Sequence, residues 1–285
     1  MKTAPLSPAP LSRAFHAPRF ALLLRAQWAE QSRSWAAFLL VFASIYALCL
    51  LLALSTSGYA MLKTSGQGFY YSAGLLVSGY LFAGRYFAGI DKREGNLLLL
   101  MQPASALEKM LAAALVILLL YPLAYTAMFE LMTWPARKLA YSMALAQYAQ
   151  NNLTASAIVP NPPIPRPVPL PEQYAAFWPF AQDARAHAMV TLMYVGLTAY
   201  GVACSLYFRS AALLKSWALA AALFLFTAIW AIFSRPNSDM LAVWWQKGND
   251  PIALSAHLLT AAIWLGIPLL LWLSAYWNLR ERQLS

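Results

Sequence analysis

The chain alternates between long unbroken apolar runs and short charged or proline-rich stretches. Apolar runs cover about 35–54, 69–88, 107–129, 188–208, 213–233 and 252–277. Each is about twenty residues or more, the length at which a helix spans a bilayer. The pattern predicts an all-α polytopic membrane protein with six transmembrane helices. Even parity then places both termini on one side.

The segments between the runs carry the remaining signals. Residues 1–17 hold Pro5, Pro8 and Pro10 and no periodicity, which predicts a leader without regular structure. Residues 18–33 read as an amphipathic helix. Phe20, Leu23, Leu24, Gln27 and Trp28 share one face, and Arg19, Arg25 and Arg33 share the opposite one. Such a helix lies in the membrane interface with its guanidinium groups toward headgroups; the alternative is a cytoplasmic extension of the first span. Residues 1–34 therefore form a leader and interfacial helix, and 35–285 a six-helix transmembrane domain. The early apolar stretch at 20–24 is stopped by Arg25, too short for a signal sequence.

Between the second and third spans, 89–107 reads as a charged turn, an apolar knob and a helix start. Asp91, Lys92, Arg93 and Glu94 precede Leu97, Leu98, Leu99, Leu100 and Met101. Ser105 and Glu108 have capping-box spacing, so the third span should begin there. The segment 131–187 is the one long outer piece. It carries a candidate short helix at 136–150 and seven prolines between Pro160 and Pro171, which excludes a helix there. It reads either as a strap over the outer face or as a disordered loop. A second outer element, 234–251, holds Met240 to Trp245 behind Asp239, too short to cross and suited to a re-entrant or interfacial turn. Pro122 and Pro268 fall inside the third and sixth spans, either kinking them or absorbed by neighbours.

Composition agrees with this pattern. The chain has 285 residues, 61% apolar and 11% charged, with mean hydropathy +0.55. A soluble domain is about 25% charged. The net charge is +10, but the cations flank the apolar runs, so they orient the chain rather than bind nucleic acid. With the N-terminus inside, thirteen of the 20 Lys and Arg face the cytoplasm while the acids divide evenly. The positive-inside rule then sets both termini in the cytoplasm.

Chemistry is sparse. Cys49 and Cys204 fall in apolar runs with no metal-ligand spacing, no span carries a charge at its middle, and no catalytic, metal or phosphate-binding motif is present. No catalytic or metal-binding residue is expected, and energy for any work must come from a partner. Tyr70, Tyr71, Tyr80, Tyr121 and Tyr125 are candidates for lining a pathway or for packing.

The stretch G-I-D-K-R-E-G-N-L-L-L-L-M-Q-P-A-S-A-L-E-K, residues 89–109, resembles the "D-K-R-x-G … L-P-A-S-x-x-E-K" segment of one bacterial branch of ABC-2 type exporter permeases. Gln102 stands where that branch often has Leu. The resemblance implies the transmembrane subunit of an ATP-binding-cassette exporter in the bacterial inner membrane. Two permease chains, identical or related, would surround a pathway, with two cytosolic ATPase subunits holding ATP and Mg. The residues Asp91 to Glu108 would be the coupling element seated on the ATPase. The alternative is a membrane scaffold or assembly factor that transports nothing.

Overall fold

The structure is a computed structural model and describes residues 15–55, 62–87, 104–158, 169–175, 184–208, 214–222 and 262–284. The described residues form helices and turns and no strands. Helix α1 is Ala17–Ser55, α2 is Thr64–Tyr86, α3 is Ala106–Leu115 and α4 is Tyr121–Ile158. Helix α5 is Ala184–Tyr207, α6 covers 214–222 and α7 is Ile267–Leu284. A 3-10 turn, Pro171–Tyr174, closes the proline tract.

Three of these helices are long and apolar enough to cross a membrane: Ala17–Ser55, Ala106–Asn151 and Ala188–Tyr207. Helix α2 has the length, with 23 residues, but its Gly, Ser and Gln positions dilute its apolar character. Most of the expected fifth span, residues 252–261 of the sixth, and the outer element at 234–251 lie outside the described residues.

Two expected boundaries are corrected. The segment 18–33 is not a separate helix; it is the first part of the 39-residue α1, which runs unbroken through Trp35. At 1.5 Å per residue α1 is about 58 Å long, against about 30 Å of hydrocarbon. Nothing between Arg33 and Trp35 stops it, because the sequence there holds no Gly or Pro. Likewise the short helix expected at 136–150 is continuous with the third apolar run through α4. Pro135 sits within α4 without ending it.

The prolines inside the apolar runs are absorbed locally. A π-helical turn at Val116–Leu120 precedes Pro122, and another at Ala262–Gly266 precedes Pro268. A proline lacks the N–H for the carbonyl four residues back and its ring crowds that carbonyl. Here those carbonyls belong to Leu118 and Trp264, each at the centre of a π turn. The wider turn makes room for the ring and re-pairs the backbone.

The residues divide into two compact units. One comprises Ser34–Ser78 and Tyr121–Tyr194. In it Leu50 and Leu62 pack with Ala136, Ala140, Ala144 and Tyr174. The three alanines recur every fourth residue, so α4 presents a smooth stripe that admits close neighbours. Tyr46 bonds Thr133 at 2.9 Å and Tyr71 bonds Thr126 at 2.8 Å. Buried Arg137 donates to Gln67 at 3.0 Å and to Glu130 at 3.1 Å. Gln67 in turn donates to the carbonyls of Leu62 and Ala175, which fixes the turn after the proline tract. Val41, Ile45, Leu48 and Leu52 of α1, at helical spacing, stay more than half exposed. An apolar face of that kind fits a lipid surround.

The other unit comprises Met1–Arg33, Gly79–Leu120 and Val195–Ser285. Its helices meet through small residues. A Cβ at Gly201 would lie 3.1 Å from the Tyr80 carbonyl oxygen and 3.3 Å from the Gly84 nitrogen. Backbone cannot yield as a side-chain tip can.

Gly201→Val should therefore lower stability by about 1–3 kcal/mol. Gly266→Ala, where an added Cβ meets nothing within 4 Å, should be silent in the same detergent thermal-unfolding assay. Gly74→Ala should also destabilise, because its Cβ would collide with the Tyr125 hydroxyl oxygen. Adding Tyr125→Phe removes that oxygen and should recover part of the loss, giving a non-zero coupling in a double-mutant cycle.

Candidate functional site

The segment singled out by sequence lies between α2, which ends at Tyr86, and α3, which begins at Ala106. Residues 88–103 lie outside the described residues, and with them Asp91, Lys92, Arg93, Glu94, Leu97, Leu98, Leu99, Leu100 and Met101. What the structure describes is how the two flanking helix ends are held.

Ser105 is extended and caps α3. Its Oγ accepts from the Glu108 N–H at 3.2 Å, and Glu108 Oε2 accepts from the Ser105 N–H at 2.9 Å. This reciprocal pair satisfies two donors that a helix start leaves open. Glu108 is fully buried, and a buried carboxylate needs more than a cap to remain charged. The remainder comes from the start of α1. Arg19 Nε donates to Glu108 Oε1 and Oε2 at 3.1 and 3.0 Å, and its Nη2 donates to Oε1 at 2.9 Å. The His16 backbone N–H donates to Oε1 at 2.9 Å. One carboxylate thus gathers Arg19, His16 and Ser105.

Glu108 and Lys109 stand in the first turn of the candidate span Ala106–Asn151. The Arg19 guanidinium and the Ser105 and His16 N–H groups supply the partners that a buried carboxylate needs there.

The other flank is tied to the same helix. Gln27 is buried, and its Oε1 accepts from the Tyr86 hydroxyl at the end of α2 at 2.9 Å. Arg19, Leu23 and Gln27 fall four residues apart and form one stripe of α1. That stripe corrects the expected division of faces. Arg19 does not point away with Arg25 and Arg33; it lies with Leu23 and Gln27 because the buried Glu108 charge holds its guanidinium. Arg25 is exposed, Phe20 and Leu24 are half-buried, and Trp28 is more than half exposed. Sequence reasoning placed Gln27 on the apolar face without giving it a partner. A lone amide in an apolar stripe was the available signal.

Of the candidate pathway tyrosines, Tyr70 is exposed, while Tyr71, Tyr80, Tyr121 and Tyr125 are buried. Tyr71 bonds Thr126 and Tyr80 bonds Ser216. Tyr121 and Tyr125 stack with ring centres 6.5 Å apart. In this conformation these four sit in helix contacts. Among the described residues no group of three His, Cys, Asp or Glu is placed to hold a metal.

Compared with known protein families, with curated proteins and with solved structures, the chain matches none.

Arg19→Ala should cost on the order of 3 kcal/mol, the usual result of stripping a buried carboxylate of its cation. Glu108→Gln should also destabilise in a detergent thermal-unfolding assay, because it removes the charge that the Arg19 fork answers, while Tyr86→Phe, which removes one neutral hydrogen bond, should cost only about 0.5–1.5 kcal/mol.

Proposed function

We propose that this chain is the transmembrane subunit of an ATP-driven exporter of the ABC-2 type. It would span the bacterial inner membrane six times with both termini in the cytoplasm. It would pair with a second permease chain and draw energy from ATP, with Mg, on two cytosolic ATPase subunits. The chain itself would hydrolyse nothing.

The observation that supports this reading most is the pair of ties at the ends of the 89–107 segment. Tyr86 precedes that segment and Ser105–Glu108 closes it, and both flanks are bonded to one stripe of α1. A segment that transmits force must not swivel on its own stems. Charged bonds at one stem and a buried amide–phenol bond at the other keep the two stems and the start of α1 in register. A push on the segment is then delivered to α1, α2 and α3 together. The apolar knob Leu97 to Met101, rimmed by Asp91, Lys92, Arg93 and Glu94, has the make-up of a docking surface, apolar at its centre and charged around it.

Replacing Leu98 and Leu99 together by Asp should abolish co-purification of a cytosolic ATPase in mild detergent while membrane insertion persists. Full recovery of the ATPase with the altered chain would remove the docking assignment. Failure to recover any ATPase with the unaltered chain would favour the scaffold alternative.

A further inference from the structure

Helices α5, α6 and α7 enclose a groove of about 440 Å³, within the size range of small-molecule sites. Tyr200 and Cys204 of α5, Leu219 of α6 and Leu271 of α7 form its walls. Two hydroxyls of these walls are already committed: Tyr200 donates to the Ser216 carbonyl at 2.8 Å and Ser274 to the Leu271 carbonyl at 2.9 Å. Most of the other described lining residues, Leu219 and Leu271 among them, are apolar.

Polarity appears at one end. Leu271, Ser274, Asn278 and Glu281 all line the groove and follow one another at three- and four-residue spacing along one face of α7. That face is about 15 Å long at 1.5 Å per residue. It grades from an aliphatic group to an amide and then an exposed carboxylate. A cation stands beside the same groove: the Lys215 ammonium lies 5.8 Å from the centre of the Phe208 ring, and Phe208 is a lining residue. Arg280 is also exposed on the adjoining face of α7. The rim of the groove thus offers both signs of charge, and among the described residues its interior offers neither.

The outside of these helices indicates where an occupant comes from. Leu269 and Leu270 of α7 and Leu214 of α6 are about two-thirds exposed or more. Surfaces of that kind need an apolar surround, and the groove is carried by the same helices. We propose that the groove is a binding site for one phospholipid whose head carries a primary ammonium. One acyl chain lies along Tyr200, Cys204, Leu219 and Leu271. The ammonium donates to Glu281 and Asn278, and the phosphate faces Lys215. This site is independent of the ATPase reading and survives its failure.

The test is native mass spectrometry of the detergent-purified chain titrated with single lipids. Phosphatidylethanolamine should be retained at one copy with about tenfold preference over phosphatidylglycerol, the value of one charge-assisted bond. Phosphatidylcholine, which has no N–H to donate, should bind as weakly as phosphatidylglycerol. Glu281→Gln, an exposed change that leaves packing intact, should erase the preference. Ser274→Trp should fill the groove and remove the retained copy. Equal retention by the Trp variant, equal binding of phosphatidylglycerol, an unchanged preference in Glu281→Gln, or no lipid on the unaltered chain would each overturn the proposal.

Discussion

A carboxylate out of reach of water must be neutralised or it will not stay charged. Glu108 meets that demand with an Arg19 fork, two backbone N–H groups and no solvent. Much of the unit around it follows from this one demand. The start of α1 is fixed because His16 and Arg19 are both needed. The start of α3 is fixed because Ser105 is needed as well. Once Arg19 is committed, α1 must turn Leu23 and Gln27 inward, and Gln27 then finds Tyr86.

The other unit is held by a different balance. Its apolar contacts are made close by small side chains, the alanine stripe of α4 above all. Its polar groups are gathered on Arg137 and Gln67, which also hold the turn at Pro171–Tyr174. Tyrosine and threonine hydroxyls bond helix to helix where water is scarce. Such bonds add modestly to stability in a membrane setting, but they fix which faces meet. The π turns before Pro122 and Pro268 lie in the unit around Glu108, and each keeps a helix continuous where a proline would interrupt it.

The proposed coupling role and the groove draw on different features of the chain. Coupling needs stiffness between a segment and its stems, and the Glu108 and Gln27 bonds supply it. Lipid binding needs an apolar recess with charge confined to its rim, and α5, α6 and α7 supply that. Neither needs a catalytic group on this chain, in keeping with a sequence that carries no recognisable catalytic motif.

The hydrophobic pattern alone determined the all-helical class and the apolar runs of the three helices long enough to cross a membrane, because a twenty-residue apolar run has few other stable forms. It also determined the cap of α3, since Ser105 and Glu108 are neighbours in the chain and the capping box is a local bond. Helix length beyond the apolar runs was not legible: 18–33 and 136–150 extend their spans because no residue there stops a helix, and composition marks only where lipid contact ends. The tie between Arg19 and Glu108 spans 89 residues, and that between Gln27 and Tyr86 spans 59. Periodicity assigns a residue to a face of its own helix but never says which other helix stands opposite. Arg19 could be read as facing headgroups until the buried charge of Glu108 came beside it, and only the tertiary fold brings that charge there.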